Sequence, residues 1–245
     1  ISFILFFAFN VHAKDALMIA TDDWPPYEYA ENGEIVGFST DTVKAVLKTM
    51  KVQITTLRIY PWVRAEKLAF DGDVDMIFTA SKSDKRMMYC HFPDEPLIIS
   101  PNLMFIRKAD AGRLKFDAFS DLKGHRVGIV REYAYTKAFL DYLKKEGVQT
   151  LIALDDAMNF KMLMRGMVDY IPADLGNSQG IIQKANLHGK LHAFRHNPIK
   201  TAGLYALFSK KRVDPAFVKE FSSALKAFKS TEQYRNIYQS YFPEQ

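Results

Sequence analysis

The sequence predicts an α/β fold of two hinged lobes with a ligand cleft between them, and three observations carry that expectation. A helix, a glycine and a short apolar strand occur twice in the same order. Two β-rich stretches flank the second copy on either side. The 245 residues, 48% hydrophobic and 25% charged, suffice to bury two cores of ordinary size. That balance excludes a disordered chain, a collagen-like repeat and a protein of many membrane spans.

Residues 1–13 (ISFILFFAFNVHA) carry no Lys, Arg, Asp or Glu and close on Val11-His12-Ala13. This is the pattern of the apolar core and cleavage site of a secretory signal peptide, clipped at its start, with cleavage expected after Ala13. A membrane anchor needs roughly 20 apolar residues, and this run breaks at Asn10 and His12. The expected product is soluble and exported. A strand over 16–20 then leads into Thr21-Asp22-Asp23-Trp24. Ser39-Thr40-Asp41 offers N-cap candidates for a helix with Val43, Val46, Leu47 and Met50 on one face.

The repeat begins at Pro61, which suits a first-turn position. Trp62, Ala65, Leu68 and Ala69 share a helical face, Gly72 suits a left-handed stop, and Val74-Asp75 opens an apolar strand. Ninety-four positions on, from 72 to 166, Met158, Leu163 and Met164 form the helical stripe, Gly166 the stop and Val168-Asp169 the strand opening. Behind the second copy, Asp214-Pro215 opens a helix with Phe217, Phe221, Leu225 and Phe228 at helical spacing, and Ile237, Tyr238 and Tyr241 line a last one. The β-rich stretches, 96–108 and 201–210, have the position of hinge strands. The expected division is residues 14–104 with 201–245 for the first lobe, 109–198 for an inserted second lobe, and 105–108 with 199–200 for the crossings.

Several chemistries lack support. The net charge is +5, but basic residues alternate with acidic ones, so a nucleic-acid surface is not expected. Cys90 is the sole cysteine, which excludes an internal disulfide, and it has the sequence setting of a buried small hydrophobe. No Walker, Gly-x-Ser-x-Gly or His-Glu-x-x-His pattern occurs. His188, His192 and His196 are spaced for one helix face, but Gly189 and Pro198 interrupt it, so no metal site is expected. Residues 71–75 (DGDVD) have the glycine in the wrong place for a calcium loop. No cofactor is implied.

In an open α/β sheet a ligand lies beyond the carboxyl ends of the strands, so four segments should converge: 21–27, 78–86, 131–136 and 173–177. The second supplies Thr79, Ser81 and Arg86, the hydroxyls and guanidinium fork that suit a carboxylate. The fourth brings Asp174 from the opposite lobe. An arginine facing an aspartate across a cleft matches an α-amino acid, whose carboxylate and ammonium share one carbon. Asp22 adds a charge, Trp24, Tyr27, Trp62 and Tyr133 offer aromatic walls, and Thr136 a further hydroxyl. Tyr60 competes with Trp62 for the stacking role. Arg86 can equally be a surface ion pair, Asp174 a helix cap, and the tryptophans core.

With these residues in view, the chain resembles the amino-acid-type periplasmic solute-binding proteins that feed ABC transporters. The likeness spans the expected mature chain and rests on five motifs in order. They are Trp24-Pro-Pro-Tyr27 with Gly33-Glu-Ile-Val-Gly37-Phe38 and Asp41, Gly72-Asp-Val-Asp75 leading to Ser83-Asp-Lys-Arg86, Asp121-Leu-Lys-Gly124 through Val127-Gly-Ile-Val130, Gly166-Met-Val-Asp169 to Asp174, and the tail at 230–241. The resemblance implies the two-lobe periplasmic-binding-protein fold, with Arg86 clamping a ligand carboxylate, Thr79 and Ser81 assisting, Asp174 holding an amino group and Trp24 stacking. It further implies a monomer in the periplasm and a membrane ABC permease as partner.

The chain departs from the family pattern after the second-lobe strand, where Arg131-Glu132-Tyr133-Ala134 stands in place of a glycine followed by Ser or Thr. Glu132 with Asp23 would favour a cationic ligand, Arg64 with Arg131 an anionic one. Glu132 also motivates an alternative, an exported enzyme resembling the cyclohexadienyl dehydratases of this fold, with Glu132 as general acid. A sensing module of a signalling receptor is a third reading.

Overall fold

The computed structural model describes residues 14–242, so the expected signal segment 1–13 lies outside the described residues. The chain begins with strand β1 (Ala16–Thr21), a hairpin of β2 (Tyr29–Glu31) and β3 (Glu34–Val36), helix α1 (Phe38–Thr49) and strand β4 (Gln53–Ile59). Helix α2 (Trp62–Asp71), strand β5 (Met76–Ala80), the short helix α3 (Asp84–Tyr89) and strand β6 (Cys90–His91) lead to the long strand β7 (Ile98–Arg107). Next come β8 (Arg126–Val130), α4 (Lys137–Lys145), β9 (Gln149–Ala153), α5 (Asp156–Met164), β10 (Ile171–Asp174), α6 (Leu175–Lys184) and β11 (Leu191–Ala193). Strand β12 (Lys200–Ser209) returns the chain to helices α7 (Pro215–Phe228) and α8 (Glu232–Tyr241).

One sheet runs in the order β10-β7-β12-β5-β1-β4, with β11 beside β7 and β6 beside β12. β1 pairs in parallel with β4 and β5, whereas β7 and β12, the two stretches expected at the hinge, pair antiparallel from Lys200 opposite Asn102 to Leu204 opposite Ile98. β8 and β9 form a parallel pair joined to the rest by a bridge between Val127 and Tyr170. Along β7 the side chains alternate, as a pleated strand requires. Leu103 and Phe105 enter one apolar cluster with Phe160, Leu163 and Ile171, and Met104 and Ile106 enter another with Phe116, Val127 and Phe139. In the other lobe Phe217, Phe221 and Leu225 of α7 pack on Leu17 of β1 and Phe78 of β5.

The repeat is real and its strands start late. Gly72 (φ 82°) and Gly166 (φ 71°) take the left-handed conformation, but β5 opens at Met76 and β10 at Ile171. The aspartate of each Val-Asp pair explains the delay. Asp75 accepts from the Met18 amide at 2.7 Å and Asp169 from the Arg126 amide at 2.9 Å, so a carboxylate replaces a strand carbonyl at the same point of both lobes. Asp75 also pairs with Lys14 and Arg212, which makes 71–75 a structural joint.

Two helix starts differ from expectation. Ser39, Thr40 and Asp41 sit inside the first turn of α1, whose N-cap is Gly37. The free amides of Phe38 and Ser39 donate instead to the carbonyls of Pro26 and Tyr27, both at 2.9 Å, so the loop after β1 caps the helix. Pro61 is the N-cap of α2 and not its first helical residue. The histidine segment is turn and strand, not helix, and no cluster suited to a metal occurs among the described residues. Cys90 is buried and its thiol is pushed up to about 12 by desolvation, the behaviour of a packing residue. No described helix is long and apolar enough to cross a membrane.

Candidate functional site

Strands β1, β5, β8 and β10 deliver the four expected segments to one cavity between the lobes, lined by Asp22, Trp24, Thr79, Ser81, Arg86, Tyr133 and Asp174. Trp62 enters it from the start of α2 and Asp156 from the start of α5. Ser100 and Asn102 on β7 and Lys200 on β12 form its wall along the antiparallel pair of long strands.

Arg86 is fixed before any ligand contact. It is 4% exposed, its Nε donates to Glu66 at 2.8 Å, its Nη1 to the Ser81 carbonyl at 2.9 Å and its Nη2 to the Glu132 carbonyl at 3.3 Å. Its guanidinium lies 4.8 Å over the Trp62 ring. An arginine has five N–H donors, so roughly two remain for a ligand oxygen. Glu66 is the counter-ion that makes this burial tolerable. It extends from the buried side of α2 and also meets Lys85 at 3.1 Å.

Asp174 caps α6 by accepting from the Asn177 amide at 3.0 Å, and it accepts from the Tyr27 hydroxyl at 2.8 Å. Burial raises its carboxyl above the usual range. A second acidic group lies at the β1 end. Thr79 donates to Glu28 at 2.6 Å, and burial, with the Asp22 charge nearby, holds the Glu28 carboxyl well above the usual range. Burial pushes the Asp22 carboxyl up to about 7. Asp156 receives the Trp24 indole N–H and the Tyr133 hydroxyl, each at 2.8 Å, and burial carries it to about 6. Three carboxyls therefore face the cavity opposite two cations, Arg86 and Lys200.

The lobes meet across this cavity. Trp24 donates to Asp156, Tyr27 to Asp174, the Asn177 side-chain Nδ2 to the Pro25 carbonyl at 2.8 Å, and Lys85 to Glu132 at 2.7 Å. Thr79 (φ 63°) and Glu132 (φ 62°) hold left-handed backbone at the strand ends of the two lobes, a strain that non-glycine residues keep where a site requires it.

Residues 17–244 match the family of bacterial extracellular solute-binding proteins, family 3. The chain belongs to this family. As a solute-binding protein it is 24% identical to the L-arginine-binding protein of Pseudomonas aeruginosa over 233 residues, 89% of this chain and 84% of that protein. It is 27% identical over 119 residues to the arginine-binding extracellular protein ArtP of Bacillus subtilis, a match to 47% of this chain and 44% of that relative. The structure of an ancestral arginine-binding protein bound to arginine superposes with a TM-score of 0.79 at 20% identity, covering 94% of this chain and all of the other. That likeness establishes the two-lobe fold.

Of the residues anticipated from this solute-binding protein's sequence, two stand outside the cavity wall. Tyr27 is 1% exposed and lies beneath it, where its hydroxyl orients Asp174. Thr136 is the N-cap of α4 and accepts from the Phe139 amide. Of the two aromatics, Trp62 lines the cavity, whereas Tyr60 lies under the exposed Arg64. Glu132 turns outward onto Lys85, which lowers its carboxyl below the usual range. Asp23, Arg64 and Arg131 are exposed and absent from the wall. Sequence reasoning missed Glu66, Asp156 and Lys200. Asp156 had a signal, since it stands ninety-four positions after Trp62, at the equivalent point of the repeat.

Proposed function

We propose that this solute-binding protein captures an α-amino acid, with a cationic side chain preferred, by closing its two lobes over it. One observation carries the reading: Arg86 of one lobe and Asp174 of the other line the same cavity, with Asp22 and Asp156 beside them. Arg86, with Ser81, takes the carboxylate, Asp174 takes the ammonium, and Trp24, Trp62 and Tyr133 enclose the side chain. Asp22 and Asp156 lie where a distal cation gains most, because both give up their protons more readily beside a positive charge. The arginine-binding relatives support the same preference. Residues 14–104 with 201–245 act as one lobe and 109–198 as the other, moving about the crossings at 105–108 and 199–200. The protein works as a monomer, exported after loss of residues 1–13, and hands its ligand to a membrane ABC permease without chemical change.

Thermal unfolding of refolded, ligand-stripped protein against the common amino acids, small carboxylates and prephenate tests this. A ligand at 100 times its Kd stabilises by about 2.7 kcal/mol. A shift with arginine, lysine or histidine supports the reading. A shift confined to carboxylates without an amino group removes the role given to Asp174, and turnover of prephenate replaces capture with catalysis.

A further inference from the structure

Lys200 has a position that the strand-end logic of the cleft does not explain. It is the first residue of β12, paired with Asn102 of β7, and so stands on the hinge and not on either binding loop. Its ammonium nevertheless lines the cavity and reaches both lobes, donating to the Ser81 hydroxyl at 3.3 Å and to the Ala134 carbonyl. Arg86 grips the same two loops, through the Ser81 and Glu132 carbonyls. Two cations thus converge on one pair of loops. Arg86 has Glu66 as a counter-ion, whereas the donors of Lys200 go to neutral oxygens and, among the described residues, none reaches a carboxylate. A half-buried ammonium beside a guanidinium costs free energy unless an anion joins them.

We propose that Lys200 is the second cation of the carboxylate subsite, binding the ligand's carboxylate together with Arg86 and so making a free carboxylate a condition of tight capture. This deepens the amino-acid reading above and rests on it. The hinge location gives the contact a mechanical consequence. A carboxylate held by Lys200 and Arg86 ties the hinge strand to the loops of both lobes at once, so the anion is felt at the pivot of closure. The state of the lysine agrees with this role. Burial, reinforced by the nearby Arg86 charge and only partly offset by the Asp174 carboxylate, brings its ammonium down to about 8, so a bound carboxylate would favour the protonated form over the neutral one.

The test compares the wild-type chain with Lys200→Gln and Lys200→Arg by calorimetry, using L-arginine and its decarboxylated analogue agmatine as probes. Lys200→Gln is expected to weaken L-arginine roughly ten- to a hundredfold and to leave agmatine within a few-fold, while Lys200→Arg retains most of the affinity. In the wild type, affinity for L-arginine falls between pH 7 and pH 9 more steeply than in Lys200→Gln, because the variant lacks the titrating amine. A uniform loss for both probes with parallel pH profiles makes Lys200 a mere tether between loops and overturns the proposal. Unchanged L-arginine affinity overturns it too, while the amino-acid reading survives. A wild-type chain that binds none of the common amino acids overturns both.

Discussion

At Arg86 the binding role and the folding role are inseparable. Truncation to alanine leaves Glu66, 4% exposed, facing only Lys85, and stranding a buried charge costs about 3–5 kcal/mol. Arg86→Ala should therefore lower stability as well as abolish amino-acid binding. Adding Glu66→Gln should return much of the stability and none of the affinity, which thermal unfolding and calorimetry on the same samples resolve. Recovered affinity in the double variant would remove the carboxylate clamp. Asp22 makes a different prediction. Its carboxyl is raised from 3.8 to about 7, so between those values the folded chain holds a proton that the unfolded chain has lost. Stability of the ligand-free protein then falls as pH rises through that window, by up to about 4 kcal/mol. Asp22→Asn should flatten the profile, and a thermal-unfolding series from pH 4 to 8 that is equally steep in both proteins would refute it. Arg86, Asp174 and Asp22 were legible because each stands at or beyond the carboxyl end of an apolar strand. Glu66 was not, because a glutamate amid Arg64 and Lys67 has the pattern of a solvated helix face.

Elements were legible where periodicity acts alone and obscure where a neighbouring loop replaces a local signal. The stripes of α2 and α7 and the glycine stops at 72 and 166 appear as the sequence implies, whereas on α5 the expected Met158 is exposed and Phe160 and Met162 are buried with Leu163 instead. The start of α1 does not, because its cap is the backbone of Pro26 and Tyr27, a contact with no residue signature. Gly37 permits that approach: it has φ 123°, and a Cβ there would lie 2.3 Å from the Tyr27 carbonyl oxygen. Gly37→Ala must displace the loop or the helix, at a cost of about 3 kcal/mol. Because the loop also carries Trp24 and positions the Tyr27 hydroxyl on Asp174, the same variant should weaken ligand binding without altering any wall residue. Wild-type affinity in Gly37→Ala would uncouple α1 from the site. Lys200 illustrates the opposite difficulty, since a lone lysine opening a hinge strand has no periodic partner to mark it.

At the scale of the molecule, the contacts between lobes differ in depth, and depth sets what each contributes to closure. Trp24 with Asp156 and Tyr27 with Asp174 are shielded and also shape the wall, so altering them changes the ligand surface itself. Lys85 with Glu132 lies at the rim, with side chains 51% and 41% exposed, and touches no ligand space. That pair is the clean probe of the hinge equilibrium. An exposed ion pair contributes about 0.2–1 kcal/mol, and stabilisation lost from the closed form reappears as weaker apparent affinity, here no more than about fivefold. Glu132→Gln should show that small loss at low salt and converge on the wild type as salt screens the pair. Its ratio of affinities for L-arginine and agmatine should stay at the wild-type value, because the change acts on closure and not on the carboxylate. A salt-independent loss, or one that falls on L-arginine alone, would place Glu132 in the binding chemistry after all and return the dehydratase reading to contention.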